Sequence, residues 1–166
     1  MHPLVQLLGS PHSFLDSLFD QLNSNGVDVS ALYMDHICFR VEDMDDYHSL
    51  QAQLLKHGHL LSDKMIGDRP ISVIQLDQSY KYGERKIDII ELPSPKNGSP
   101  YPKGYEHVEF VINTDLSDFI STYSTIGFDL KGMSKAINPD VRIQLLGSSV
   151  KFHEHSLKYV IEILEK

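Results

Sequence analysis

The first predicted element is an amphipathic helix near the start of the chain. A proline follows Ser10, where it suits the first turn of a helix, and Asn25-Gly26 suits the end of one. Between these points apolar residues recur with helical spacing: Phe14, Leu15, Leu18, Phe19 and Leu22. The pattern predicts an N-terminal helical segment within residues 1–30.

From Met34 onward the apolar period changes to two, which is typical of a strand with one face on a core. Successive strand side chains point to opposite faces, so the polar members of this run are expected to face away from the core. The apolar members are Ile37, Phe39 and Val41, and the alternating members are His36, Cys38 and Arg40.

The pattern after this strand predicts one helix and three strands. Asp43 is a candidate cap for a helix that extends to about His57 and is ended by Gly58. Strands are predicted at 71–76 and 87–92, with a short one at about 80–84. Proline, glycine, serine and asparagine are frequent in residues 93–104, which predicts a linker between a first module, 34–92, and a second module, 105–166.

The second half repeats this order of elements. A strand is predicted at 105–113, followed by a helix that Asp115 caps and Gly127 ends. Three strands are then predicted at 141–146, 150–155 and 159–164. The expected fold class is therefore α+β, with two tandem βαβββ modules after the N-terminal helical segment.

The repeat extends to individual residues. His107 follows His36 by 71 positions, and Glu162 follows Glu91 by the same number. Each His lies in a run of the order acidic, His, aliphatic, any, Phe, any, aliphatic, and each Glu lies between two aliphatic residues. Gln75 recurs as Gln144 at an offset of 69, so the two modules differ slightly in internal spacing. A self-match of this kind predicts two copies of one structural unit.

Strand alternation places the repeated polar residues on the face opposite the predicted core. Imidazole nitrogen and carboxylate oxygen both bind borderline or hard divalent ions, and the set contains no thiolate. A solvated or hydrogen-bonded role is the usual one for any single strand His or Glu, but recurrence in both modules favours a joint role. The sequence predicts one divalent ion (Zn, Ni, Co, Mn or Fe) with these ligands: His36, Glu91, His107 and Glu162.

Other polar residues are expected on the same face. Arg40 is a candidate for binding a substrate carboxylate or phosphate, and an ion pair with Glu109 is the alternative. His153 is a candidate for substrate binding and His155 for catalysis, and one of them would transfer a proton or donate a hydrogen bond to a metal ligand. Solvent-exposed strand positions are the alternative. Gln75 and Gln144 complete the expected substrate-binding set.

Composition narrows the function classes. Lysine and arginine number 15 against 23 acidic residues, a net charge of -8, which argues against nucleic acid as a partner. Cys38 is the single cysteine, so no internal disulfide can form. The first residues lack the charge and apolar pattern of a signal peptide or membrane span. We expect a cytoplasmic protein that does not bind a membrane.

The two modules, each with His early in its first strand and Glu in its last, resemble the vicinal oxygen chelate superfamily, which includes glyoxalase I, extradiol dioxygenases and bleomycin resistance proteins. The N-terminal helix, the MDHICFRV segment and the KFHEHSLKYVIEIL ending resemble the YecM-like group of bacterial proteins over essentially the whole chain. The resemblance implies an eight-stranded cup with the metal on its inner face, and it carries no established reaction.

The resemblance favours a metal-dependent enzyme, isomerase-like or lyase-like, that acts on a small oxygen-rich metabolite. By analogy Glu91 or Glu162 would leave the ion to act as a base, with His155 as a further catalytic candidate. A metal-dependent dioxygenase is the enzymatic alternative, and a non-catalytic protein that binds a small molecule is the alternative from another class. The twelve-residue linker spans about 40 Å when extended, so the modules can close within one chain, and a monomer is expected.

Overall fold

The computed structural model describes residues 1–98 and 101–166, so two positions of the predicted linker, 99 and 100, lie outside the described residues. The fold class is confirmed as α+β, with helices at the N-terminal end and eight strands in the described ranges. The helices are α1 (Pro3–Leu8), α2 (His12–Ser24), α3 (Met44–Leu54), α4 (Leu116–Thr122) and α5 (Leu157–Tyr159). The strands are β1 (Tyr33–Arg40), β2 (Gly58–Ser62), β3 (Met65–Ile66), β4 (Arg69–Tyr82), β5 (Arg85–Pro93), β6 (Gly104–Val111), β7 (Asp140–Leu145) and β8 (Ser148–His153).

The chain divides into two compact units. Unit 1 comprises residues 1–12 and 36–106, and unit 2 comprises residues 13–35 and 107–166. The strand order is β2-β4-β5-β1 in unit 1 and β6-β8-β7 in unit 2. In each unit the first strand of the predicted module has a parallel neighbour, β5 for β1 and β8 for β6. The pairs β2–β4, β3–β4, β4–β5 and β7–β8 are antiparallel.

Helix α3 is tied to the sheet of unit 1 by a buried polar contact. Asp43 caps the helix as predicted, since its side chain accepts a hydrogen bond from the N–H of Asp46. One turn into the helix, the Tyr47 hydroxyl lies 2.6 Å from Ser72 Oγ on β4, and Gln51 donates to the same oxygen at 2.6 Å. These contacts fix the face of the sheet that the helix covers.

The N-terminal residues 1–12 are held in unit 1 by polar contacts. Tyr105 donates its hydroxyl to the Gly9 carbonyl at 2.8 Å, and burial raises the pKa of this phenol, so it remains a donor. His12 Nδ1 lies 2.6 Å from the Tyr80 hydroxyl. The segment is therefore fixed at two separate points.

Aromatic side chains form the core of unit 2. Phe110 of β6 stacks on Phe152 of β8 with ring centres 5.8 Å apart, and Phe119 of α4 lies 4.6 Å from Phe152. Phe19 of α2 meets Phe110 edge to face at 6.1 Å. The two helices thus cover the same sheet face, and His107 of β6 alternates to the other one.

Three features of the secondary structure differ from the prediction. The helix predicted after Ser10 is present as α2, but a further helix, α1, precedes it and was missed. Strand β2 was missed, because Gly58–Ser62 is an edge strand without polar-apolar alternation. The predicted strand at 159–164 is helical: α5 continues into a π-helical turn, Val160–Leu164.

The helical C-terminal end has a local cause. Ser156 is the N-cap of α5, since its side chain accepts a hydrogen bond from the Tyr159 N–H at 3.1 Å. The Leu157 N–H donates to Asp35 Oδ2 at 2.8 Å, which satisfies a second N-terminal donor. A short apolar run at the end of a chain does not by itself distinguish strand from helix, and here these two caps decide it.

We expect Gly58→Ala to destabilise the protein by about 1–3 kcal/mol, the usual cost of overpacking. A Cβ at Gly58 would overlap the backbone carbonyl of Gln75 and lie 3.2 Å from Leu76 Cα, because β2 pairs closely with β4 there. Gly127→Ala is the matched control, since nothing lies within 4 Å of its Cβ position. Urea unfolding measures both, and equal stability of the two variants would contradict the β2 pairing.

Candidate functional site

In unit 1 the structure brings together His36 and Glu91. Strands β1 and β5 are parallel, with Cys38 opposite Glu91. His36 precedes Cys38 by two positions, so it shares the face of Glu91. Its Nε2 lies 3.7 Å from Glu91 Oε2, and the side chains are 1% and 18% exposed. The predicted first His–Glu pair is therefore present.

In unit 2 the carboxylate beside His107 belongs to Glu109. The two residues are two positions apart on β6, so their side chains share one face. His107 Nε2 lies 3.2 Å from Glu109 Oε1, and the side chains are 6% and 10% exposed. The second unit therefore has its own buried His–carboxylate pair.

Strand β8 places a lysine and a histidine beside the Glu109 carboxylate. Parallel pairing sets Lys151 opposite Glu109 and His153 opposite Val111. Lys151 Nζ lies 3.2 Å from Glu109 Oε1, and His153 Nε2 lies 2.9 Å from Glu109 Oε2. Both oxygens of this buried carboxylate are thus engaged, which offsets the cost of removing its charge from water.

Asp35 extends this cluster. Its Oδ2 lies 3.6 Å from His153 Nε2 and accepts the hydrogen bond from the Leu157 N–H. The Asp35 and His153 side chains are 1% and 3% exposed. The buried row from His107 through Glu109 and His153 to Asp35 therefore ends at the first turn of α5.

The donor set fits a divalent ion. Two ligand atoms each about 2.1 Å from one ion lie about 3 to 3.5 Å apart at tetrahedral or octahedral angles. The His107–Glu109 distance falls in this range, and the His36–Glu91 distance is slightly longer. Residues with ligand atoms in groups that could hold a metal ion include His36 and Glu91 in unit 1, and Asp35, His107, Glu109 and His153 in unit 2.

Glu162 and His155 do not lie where strand alternation placed them. Glu162 is half-buried on the π-helical turn, so the argument that aligned it with His107 does not apply. Strand β8 ends at His153, and His155 is exposed in the following turn. The backbone N–H of His155 donates a hydrogen bond to Asn138 Oδ1 at 3.1 Å. The roles of both residues stay predictions from the sequence.

The two glutamines differ in their surroundings. Gln75 is half-buried on β4, between His59 of β2 and Ile89 of β5. Gln144 is exposed, and its amide donates to the carbonyls of Leu145 and Ser148 at 3.1 and 2.9 Å. That amide stabilises the β7–β8 turn, which is a structural use that sequence reasoning did not anticipate.

Arg40 pairs with Glu106, at 3.5 Å between Nη2 and Oε1, and its guanidinium lies 4.4 Å from the Tyr101 ring centre. The alternative considered for Arg40 was an ion pair with Glu109, and Glu109 has Lys151 as its cation. Arg40 thus contacts an acidic group and an aromatic ring within unit 1.

Sequence reasoning missed Glu109 and Asp35 as members of the buried cluster. The two-residue spacing on one strand indicates that Glu109 shares the face of His107. From the sequence alone, Glu109 is expected only as an ion-pair partner of Arg40. Asp35 gave no such signal, because residues 34–39 of β1 are all buried and alternation cannot mark a functional face there.

The geometry defines an α+β protein with a His–carboxylate pair in each of its two units, buried in unit 2 and partly exposed at Glu91 in unit 1. A family model for YecM protein matches residues 4–136, and the chain belongs to the YecM family.

The chain is also similar to two individual relatives and to one solved structure. An uncharacterised protein of Haemophilus influenzae is 39% identical over 87 residues, which cover 52% of this chain and 45% of the relative, so the match spans about half the length of that protein. Protein YecM of Escherichia coli is 24% identical over 163 residues, covering 89% of this chain and 87% of the relative. A solved structure from structural genomics, described as Protein EC4020, has a TM-score of 0.77 at 23% identity and covers 90% of this chain and 86% of that one, which shows the same fold.

No helix in the described ranges has the length and apolar character needed to span a membrane.

Proposed function

We propose that this chain is a divalent-metal-binding protein of the vicinal oxygen chelate type, and a metal-dependent enzyme of the isomerase or lyase kind that acts on a small oxygen-rich metabolite. One observation carries the proposal: the imidazole of His107 lies 3.2 Å from the Glu109 carboxylate on a buried sheet face, and both are ligand types that divalent ions prefer. The repeat supports it, because unit 1 holds the corresponding pair, His36 and Glu91.

A bound divalent ion would polarise a carbonyl oxygen of the metabolite and so favour loss of a proton from the adjacent carbon. The residues differ in how well they suit the proton transfer. Glu109 is engaged by His107, Lys151 and His153, which hold its carboxylate in one position. Glu91, with 18% of its side chain exposed, is the more accessible carboxylate. By these properties Glu109 suits ion binding, and Glu91 suits proton transfer.

His153 is a positioning residue in this proposal. Its Nε2 lies 2.9 Å from Glu109 Oε2 and 3.6 Å from Asp35 Oδ2. The imidazole ring therefore orients the Glu109 carboxylate, which is the proposed metal ligand. Partners that orient ligands in this way typically change metal affinity by about 10 to 100-fold when removed. The sequence placed His153 in the substrate-binding set. Its contact with Glu109 supports the positioning role instead.

We also propose that the protein is a cytoplasmic monomer that binds neither nucleic acid nor membrane. Cys38 is buried and cannot form an internal disulfide, which suits a reducing compartment. The net charge of -8 opposes binding to phosphate backbones.

Metal analysis of protein purified without a His tag or chelator tests the proposal. We expect about one divalent ion per chain and a light-scattering mass of one chain, and we expect a small-metabolite screen to find turnover that stops on chelation. Metal-free protein that takes up no divalent ion on titration would refute metal binding. Stoichiometric metal with tight metabolite binding and no turnover would favour the non-catalytic alternative, and oxygen consumption would favour the dioxygenase.

A further inference from the structure

Two arginines of unit 1 meet at one tyrosine ring. The guanidinium carbon of Arg40 lies 4.4 Å from the centre of the Tyr101 ring. Arg69 approaches the same residue from its polar end, donating from Nη1 to the Tyr101 hydroxyl at 2.8 Å. Two permanent positive charges from β1 and β4 are thus gathered at one side chain.

The positive charges of Arg40 and Arg69 are only partly balanced by nearby carboxylates in the described part of the chain. Arg40 has Glu106 as a partner at 3.5 Å, which is long for a charge-assisted hydrogen bond. The contacts of Arg69 are to neutral oxygens, the Tyr101 hydroxyl and the Ser94 carbonyl, both at 2.8 Å from Nη1. A guanidinium has five N–H donors, more than these two contacts use. Among the residues that the structure describes, these two cations have one carboxylate partner, which leaves a local excess of positive charge on a chain whose net charge is -8.

This geometry suits recognition of an oxyanion. Guanidinium groups bind carboxylate and phosphate oxygens through paired N–H donors, and an aromatic ring that stacks on one of them restricts its orientation before the ligand arrives. Arg40 is also reachable, since 30% of its side chain is exposed. We propose that Arg40, Arg69 and Tyr101 form a site for an oxyanion group, carboxylate or phosphate, of a small molecule.

The site lies on the same strand as a candidate metal ligand. His36, Cys38 and Arg40 alternate along β1 and share one face. Four residues of strand cover about 13 Å. If the proposed function holds, the substrate would have an anionic group on the order of 10 Å from its own metal-binding oxygens. This step rests on the proposed function, whereas the oxyanion site itself does not.

A purely structural role makes a different prediction. The same contacts also connect the stretch after β5 to the sheet, because Arg69 and Tyr101 both donate to the Ser94 carbonyl, at 2.8 and 3.4 Å. If this were their whole purpose, replacing either arginine would lower stability and leave anion affinity unchanged. Affinity and stability must therefore be measured on the same samples.

Calorimetric titration of the full chain, treated with chelator and desalted, tests the site. Inorganic phosphate and malonate serve as separate probes, at an ionic strength held constant with sodium chloride. We expect one saturable site for at least one probe. Tighter binding of phosphate or of malonate shows whether the site favours a phosphate or a carboxylate group. Arg40→Gln and Arg69→Gln should each weaken binding at least tenfold, because each removes charge-assisted hydrogen bonds to the anion.

Lys103→Gln is the matched control. It removes one positive charge from the same part of unit 1, where Lys103 pairs with Asp46 at 2.7 Å, and it should retain the affinity of the parent within about twofold. Arg40→Lys keeps the charge but loses the planar fork, so it should also bind weakly while remaining folded, even if Arg40→Gln unfolds. Absence of saturable binding by the parent, or an equal loss in the Lys103 control and the arginine variants, would overturn the proposal. Metal uptake measured in parallel reports on the metal site separately.

Discussion

Replacing His107 with alanine is expected to abolish stoichiometric metal binding while the chain stays folded. Partners that only orient a ligand are worth about 10 to 100-fold in metal affinity, so loss of a ligand itself should exceed that range. The fold should survive because His107 lies on the sheet face opposite the aromatic core, and Glu109 keeps Lys151 and His153 as partners. Titration with zinc and circular dichroism measure the two effects. A folded variant with the metal affinity of the parent would contradict the assignment.

A pair of isosteric variants decides which carboxylate of unit 2 is the ligand. Glu109→Gln should lower metal affinity at least as much as loss of an orienting partner, because the amide carries no charge to offer the ion. Glu162→Gln makes the same chemical change on the π-helical turn and should leave affinity close to that of the parent. The opposite ranking would restore the ligand set expected from the repeat and remove Glu109 from it.

Truncation of Phe152 to alanine should produce the largest loss of stability, about 3–5 kcal/mol. The side chain is fully buried between Phe110 and Phe119, so alanine leaves a cavity that the helices of unit 2 cannot readily fill. The matched control is Leu146→Ala in the adjacent β7–β8 turn. Leu146 is 87% exposed, so its truncation should change stability by no more than about 0.5 kcal/mol.

Denaturant unfolding monitored by far-ultraviolet circular dichroism measures both variants. A loss below about 1 kcal/mol for Phe152→Ala would mean that this aromatic cluster does not hold unit 2 together. A comparable loss for Leu146→Ala would mean that the turn, rather than the cluster, limits stability.

Elements with a strong period or a clear cap were predictable from the sequence. Alternation along Ile37, Phe39 and Val41 identified β1, and Asp43 and Asp115 cap their helices as expected. The repeat also placed His36, Glu91 and His107 on strands, and they lie on β1, β5 and β6. Their polar side chains, rather than their burial, distinguish the two histidines, because His36 and His107 are buried like the apolar residues beside them.

Prediction failed where a tertiary contact decided the local structure. The C-terminal run around Ile161 and Ile163 has the alternation of a strand, yet the cap at Ser156 and the contact from Leu157 to Asp35 make it helical. The partner Asp35 lies 122 positions away, so no local pattern could reveal it. A similarly long separation in sequence concealed Asp35 and His153 as one buried pair.

The most direct test of a metal site is diffraction from a metal-loaded crystal at the absorption edge of the added ion. We predict one anomalous peak per chain, with His107 Nε2 and a Glu109 oxygen within about 2.0 to 2.6 Å of it, as is usual for nitrogen and oxygen ligands of divalent ions. The same map shows whether His36 and Glu91 serve that ion, as the repeat predicts. No peak in crystals of metal-saturated protein, or a peak with neither His107 nor Glu109 within bonding distance, would contradict the account.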